Sequence, residues 1–464
     1  MYQKSVKNTL RLLADSWIQR EGALNSTAAL LSWIDGRNRD VQVDIRKISY
    51  EQETIWRYDE ATGTIHNPNG SFFSVAGLKK AEEDWEQPVL LQNEIGYLGI
   101  LCKEFDNVLY FLMQAKIEPG NVNCVQISPT IQATKSNFTQ KHGGRKPAYL
   151  DYFLHAEQYE VVVDQIQSEQ SSRFWKKRNR NIIVRVDEEV EVLPSHRWMT
   201  LGQIKALMRY DNLVNMDTRT VLSCIPFCQM IPDSAQLAEL EEQFTNKALF
   251  RSVFCGDGEN HFPEIYRCIN NYKMFDETLY QFTPLMDLQH WRMCNGEFVC
   301  DRPWPFKVVF CDIAIEGREV KRWIQPLFEA VGTATFGLML CEVDGVLKFV
   351  VRPHAEPGCF DAIELGPTVQ CEAGEFFAND PVSRLFADKL SQKSDVLFDV
   401  LLSEEGGRFY HEQNRNVLIQ VSREELGMLP PDCFLTDFKT LNQLIQINNT
   451  VNIQLRNLLS VLEA

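Results

Sequence analysis

Apolar residues recur at two spacings along the chain, and the spacings mark different elements. The opening stretch "MYQKSVKNTLRLLADSWIQREG" puts them at helical spacing. "TAALLSWIDGRNR" repeats that spacing behind Ser26 or Thr27, either of which predicts an N-cap. "YLGILCKEFDNVLYFLMQAKI" instead holds two apolar runs about residues 104–107, which predicts a hairpin. "NCVQISPTIQA" predicts one further strand and "NIIVRV" a short buried one. "TLGQIKALMRYD" predicts a helix capped by Thr200.

The same order of elements is written twice. A shift of 238 lays Glu118-Pro119-Gly120 on Glu356-Pro357-Gly358, and Pro129, Thr130 and Gln132 on Pro367, Thr368 and Gln370. A shift of 235 lays Trp56-Arg57 on Trp291-Arg292 and Asn179-Arg180-Asn181 on Asn414-Arg415-Asn416. "TDFKTLNQLIQIN" matches the Thr200 helix, with Thr436 expected as its cap. A duplicated unit of half the chain explains all of these matches. The boundary is expected near "IPFCQMIPDSAQL", giving units 1–230 and 231–464, with Asp233 or Ser234 capping the next helix. Strands with helices around them predict an α+β unit, each copy preceded by a helical segment.

Composition narrows the function classes. The formal net charge of -16 argues against a nucleic-acid surface, though an anionic small ligand needs only a local basic pocket. No apolar run is long enough to span a membrane, and the N-terminus lacks the apolar core of a signal peptide. Thirteen cysteines occur without a C-x-x-C pair, so reduced thiols in a cytoplasmic protein are expected and no metal is. There is no G-x-G-x-x-G after a strand, no P-loop, no G-x-S-x-G and no H-E-x-x-H.

Four stretches carry candidate chemistry. In "QAKIEPGNVNCVQISPTIQAT" Pro119 and Gly120 suit a turn, but a turn does not require Glu118 or Glu356. A carboxylate fixed by a turn can act as a base or clamp a hydroxyl. Asn179-Arg180-Asn181 at a strand mouth could satisfy loop backbone or fork onto a diphosphate. Trp56 beside Arg57, like Trp291 beside Arg292, suits a core slightly better than a base-stacking platform. "ATKSNFTQKHGGRKPAYLDYF" is a basic loop with Lys135, His142 and Tyr149, either solvated or a flap over an anion.

The blocks "FFSVAGL", "QAKIEPGNVNCVQISPTIQATKSNFT", "KRNRNIIV" and "DNLVNMDTRTVLS" together resemble the NDP-hexose 2,3-dehydratases, in order and over almost the whole chain. The resemblance implies two tandem Nudix-like α/β/α modules, each a mixed sheet between helices. It implies an NDP-4-keto-6-deoxyhexose substrate, usually dTDP-linked, that loses its C2 hydroxyl in deoxysugar biosynthesis. It also implies a downstream 3-ketoreductase and a homodimer. The Nudix hydrolase box is absent from both halves, which disfavours metal-assisted pyrophosphate cleavage.

The chemistry needs a base, an acid and a partner for an enolate oxygen, and no cofactor in principle. The roles expected are Glu118 as base, His142 or Lys135 as acid and Lys116 as enolate stabiliser. Arg180 with Asn179 and Asn181 is expected at the diphosphate, and Trp56 and Arg57 at the nucleotide. Gln132, Asn121 and Tyr149 are expected at the sugar. The second pocket (Trp291, Arg292, Glu356, Gln370, Asn414, Arg415, Asn416) replaces Lys116 with His354 and Asn121 with Cys359, and is expected to be a remnant. A nucleotide-sugar hydrolase and a non-catalytic nucleotide-sugar binder are the alternatives.

Overall fold

The structure, a computed structural model, describes residues 2–51, 55–69, 73–139, 146–229, 234–259, 261–316 and 321–464. It is a mixed α+β fold with a duplicated domain. The hairpin forms as the apolar runs require, from strands Gly96–Phe105 and Val108–Ile117. Asp106 and Asn107 take the positive φ values of 49° and 64° that a two-residue hairpin turn favours.

This hairpin centres a seven-stranded sheet. Arg178–Arg185 runs parallel to Gly96–Phe105, and Glu160–Ser168 runs antiparallel outside it. His196–Thr200 closes the other side on Val108–Ile117. The second half builds the same sheet from Thr335–Val343, Val346–His354, Gln413–Val421, Val396–Ser403 and Phe434–Asp437.

Three local expectations are corrected. "NCVQISPTIQA" is two strands rather than one, Val125–Ser128 on one hairpin arm and Ile131–Ala133 on the other. Thr130 stands where they part. Its hydroxyl accepts from the Leu101 N–H at 2.9 Å and donates to the Leu112 carbonyl at 2.5 Å. Thr368 does the same between Met339 and Val350, which explains why Pro-Thr recurs. Second, Asn-Arg-Asn lies inside strand Arg178–Arg185 and not at its mouth. Third, the helix Phe438–Ile445 is capped by Asp437, which accepts from the Thr440 N–H at 2.7 Å, while Thr436 lies within the preceding strand Phe434–Asp437. The Ser26 cap and the Thr200 cap form as expected, the latter as a capping box with Gln203. The proposed Asp233 cap lies outside the described residues.

The halves are not laid end to end. Val43–Ile48 of the first half pairs along Phe306–Ile315 of the second, from Val43↔Ile315 to Ile48↔Phe310. Reciprocally, Tyr280–Thr283 of the second half pairs along Ser74–Lys80 of the first. The exchange continues in the interior. Buried Arg219 donates to the Ser403 carbonyl at 2.6 Å, and its counterpart Arg456 donates to the Ser168 carbonyl. The helices that carry these two arginines, Met216–Ser223 and Ile453–Ser460, pack on each other. One apolar core therefore runs through both halves, with Trp17 packed on Phe438 and donating to the Leu462 carbonyl. No described helix is long and apolar enough to cross a membrane.

Candidate active site

The Glu-Pro-Gly turn of each half is seated against a loop of the other. The Gly120 N–H donates to the Gly406 carbonyl at 2.6 Å, and the His411 N–H donates to the Gly120 carbonyl at 2.8 Å. In the mirror contact Gly358 donates to Ser171 at 2.8 Å and accepts from Lys176 at 3.0 Å. A Cβ on Gly120 would lie 1.5 Å from the Phe409 carbonyl oxygen, and one on Gly358 would lie 1.7 Å from that of Phe174. The recurrent glycine thus reflects close approach of the partner half's backbone rather than turn conformation.

Around the first turn, Lys116 Nζ stands 3.2 Å from Glu118 Oε1, and Gln132 Nε2 donates to the same oxygen at 2.9 Å. Gln132 is itself aimed by Ser128 and Asn215, which donate to its Oε1 at 3.2 and 3.3 Å. Asn215 caps the helix that begins at Met216, so the Glu118 cluster is tied to a helix terminus. Asn121 donates to the Cys124 carbonyl at 2.8 Å and lines the same turn. The structure therefore brings together Lys116, Glu118, Asn121 and Gln132 as the sequence suggested.

Other expected residues sit elsewhere. Trp56 and Trp291 are 1% and 3% exposed, with rings against Phe73 and Phe298, so neither offers an open face to a base. Arg57 and Arg292 are exposed, the latter 3.5 Å from Asp301. Arg180 alternates in its strand with Asn179 and Asn181 and so faces the opposite side of the sheet. There it forks onto Asp164 at 2.7 Å with both nitrogens and lies over Tyr97. Arg415 repeats this fork on Asp399. Asn179 bridges the Gly96 N–H and Glu169, while Asn181 is buried and donates to the Asn179 carbonyl. Asn414 likewise donates to Glu404, in place of Glu169, and Asn416 donates to the Asn414 carbonyl. Tyr149 donates to the Glu191 carbonyl and sets its ring edge on His196. Lys135 is exposed at the start of a short helix, and His142 lies outside the described residues.

Sequence reasoning missed the acidic and basic groups gathered around Glu118. Glu405, Arg408, Glu169 and Asp217 are all charge neighbours within this site. Burial and the Glu118 charge hold the Glu405 carboxyl up at about 7, and burial holds Glu169 there too. Asp217 is pushed well above the ordinary carboxylate range, by burial and then by Glu169. Both its oxygens are buried without a hydrogen-bond partner among the described residues. Ser-Glu-x-x-x-Arg-Phe recurs at 168–174 and 403–409, a signal that would have pointed to this loop.

The second pocket keeps the frame and changes the charges. Gln370 donates to Glu356 at 2.9 Å and is aimed by Asn452. Glu372 stands where the first half has Thr134, and Arg173 donates to it at 2.9 Å. Burial, with Glu372 and Glu364 nearby, raises Glu356 to about 8. Outside both pockets, Asp257, Glu259 and His261 gather closely, but Asp257 already meets His261 at 2.6 Å and Lys348 at 2.8 Å. That cluster is an ion-pair network.

A family model for NDP-hexose 2,3-dehydratase matches residues 27–225 and again 263–462. The chain belongs to the NDP-hexose 2,3-dehydratase family. Its duplication, read above from the sequence and seen in the two sheets, is the same duplication that the model matches twice. A dTDP-4-dehydro-6-deoxy-alpha-D-glucopyranose 2,3-dehydratase of Saccharopolyspora spinosa is 38% identical, covering 98% of this chain and 95% of its own. Proteins of the same name from Amycolatopsis orientalis and Streptomyces violaceoruber are 34% and 35% identical, covering 96% and 94% of this chain and 92% and 97% of their own. This dehydratase is accordingly a hydro-lyase.

Proposed function

We propose that the substrate is a dTDP-4-keto-6-deoxyhexose and that the first pocket does the chemistry. The C4 ketone acidifies the C3 proton. Glu118 removes it, and Lys116 stabilises the enolate oxygen. The enolate then reforms the ketone and expels the C2 hydroxyl. The resulting enol relaxes to a 3,4-diketo-2,6-dideoxy sugar, and a cytoplasmic 3-ketoreductase consumes this unstable product. Each half is read as a Nudix-like module and the working protein as a homodimer. The observation that carries this reading is the Glu118 carboxylate, held by Lys116 and Gln132 at a turn that both halves fix. In the second half His354 stands in place of Lys116, and burial lowers its affinity for a proton, so the position of Lys116 carries a weaker base there.

The test is incubation with dTDP-4-keto-6-deoxyglucose and a 3-ketoreductase, followed by product mass. Loss of one water and gain of the two hydrogens that the reductase transfers from its nicotinamide, a net loss of one oxygen, supports the proposal. Release of nucleoside monophosphate, or an unchanged mass, refutes it.

A further inference from the structure

The first pocket has one carboxylate on its own turn and a second brought to it by the other half. Gly406 is in contact with Glu118: a Cβ there would lie 2.9 Å from the Glu118 Cβ and 2.3 Å from Asn121 Oδ1. The Gly120–Gly406 and His411–Gly120 hydrogen bonds fix that contact from both sides. Glu405 is the residue before Gly406. One of its oxygens accepts the Gly407 N–H at 3.0 Å, and its side chain keeps partial exposure. Its charged neighbours include Glu118, Arg408, Glu169, Lys116, Lys177 and Asp217.

We propose that Glu405, supplied by the second half, is the proton donor to the departing C2 hydroxyl in the first pocket. This rests on the reading of Glu118 as base. The two carboxyl groups share Lys116 as a neighbour but differ in what dominates their surroundings. Glu118 pairs directly with Lys116 and accepts from Gln132, whereas for Glu405 burial and then the Glu118 charge outweigh Arg408 and Lys116 and keep its proton on to near neutral pH. Glu118 takes the C3 proton as the C3 electron pair moves toward C4. As the C4 carbonyl reforms, C2 and C3 become doubly bonded and the C2–O bond breaks. The Glu405 proton goes to the leaving oxygen, which departs as water. Glu118 ends protonated and Glu405 ionised, so a proton passing from one to the other through solvent resets the site.

The mirror pocket lacks the donor. At the same shift of 235, Gln170 occupies the position of Glu405. An amide can hold the loop but cannot give up a proton at any working pH. Glu356 of that pocket therefore has no partner acid from the loop seated on its turn.

Leaving-group dependence tests the proposal, because fluoride needs far less protonation than hydroxide. Wild type, Glu405→Gln and Glu405→Asp are given the dTDP-4-keto-6-deoxy sugar and its 2-deoxy-2-fluoro analogue, in D2O. Glu405→Gln should eliminate water at least about 100-fold more slowly. It should still exchange the C3 proton for deuterium and should eliminate fluoride within about threefold of wild type. Glu405→Asp, which keeps an acid at a shifted position, should show the same selective loss of water elimination to a smaller degree. That variant decides the matter if Glu405→Gln does not fold. Equal slowing of water and fluoride loss, loss of C3 exchange, or undiminished turnover overturns the assignment. Failure of the dehydratase reading looks different: wild type itself would neither exchange C3 nor release water.

Discussion

Gly120→Ala is a small change whose effects the geometry makes calculable. The new methyl carbon would lie 1.5 Å from the Phe409 carbonyl oxygen, where such contacts do not fall below about 3 Å. Loop 406–411 must therefore retreat by about 1.5 Å. That breaks the 2.6 Å Gly120–Gly406 and 2.8 Å Gly120–His411 hydrogen bonds. Each is worth about 1 kcal/mol net, and overpacking adds about 1–3 kcal/mol. A destabilisation of about 3–5 kcal/mol follows, which lowers the melting temperature by roughly 3–5 °C for a chain of this size. Gly358→Ala makes the mirror clash, 1.7 Å from the Phe174 oxygen, and breaks the mirror pair of hydrogen bonds. The two variants should melt at similar temperatures. They should differ in turnover, measured well below both melting points. Gly120→Ala, which separates Glu118 from the Glu405 loop, should lose at least about tenfold more activity. Equal losses, or a greater loss in Gly358→Ala, would refute the assignment of the reaction to the first pocket.

Glu118→Gln should abolish both C3 deuterium exchange and water loss, by about 100-fold or more, while Glu356→Gln keeps turnover, as product mass and proton NMR will show. Glu356→Gln should also change the dependence of stability on pH. The folded carboxyl sits at about 8, above its ordinary 4.5, so the wild type gains stability from its bound proton below 4.5 and loses that gain as pH rises through 8. The variant should melt closer to wild type at pH 5 and relatively higher at pH 9 by calorimetry. The Arg180–Asp164 fork should show a coupling of about 1 kcal/mol in a double-mutant cycle by denaturant unfolding, with dTDP affinity unchanged in Arg180→Lys. A loss of affinity there would return Arg180 to the diphosphate.

What the sequence disclosed follows from the range of each interaction. The hairpin was legible because its two runs and its turn lie within about twenty residues and need no third partner. The Glu118 cluster was legible because the duplication supplied a second reading of the same frame. Asn179-Arg180-Asn181 was misplaced because asparagine favours turns locally. Here Asn179 is satisfied within a sheet by Gly96 and Glu169, partners that no local pattern identifies. Glu405 was missed for a related reason. Comparison of the halves drew attention to what is identical, and the role proposed for Glu405 rests on its differing from Gln170. The strand exchange was invisible because Val43–Ile48 finds its partner in the other half.

The exchange has a consequence for how the two pockets can diverge. A single-unit protein that assembled as a swapped pair would use one codon for the loop residue in both sites, and any change would alter both together. Joining the units in one chain makes positions 170 and 405 separate letters. One can become an acid while the other stays an amide, and the lent strands and loops still hold both frames in shape. On the proposed assignment, the second pocket is retained because the half that carries it supplies part of the wall of the first.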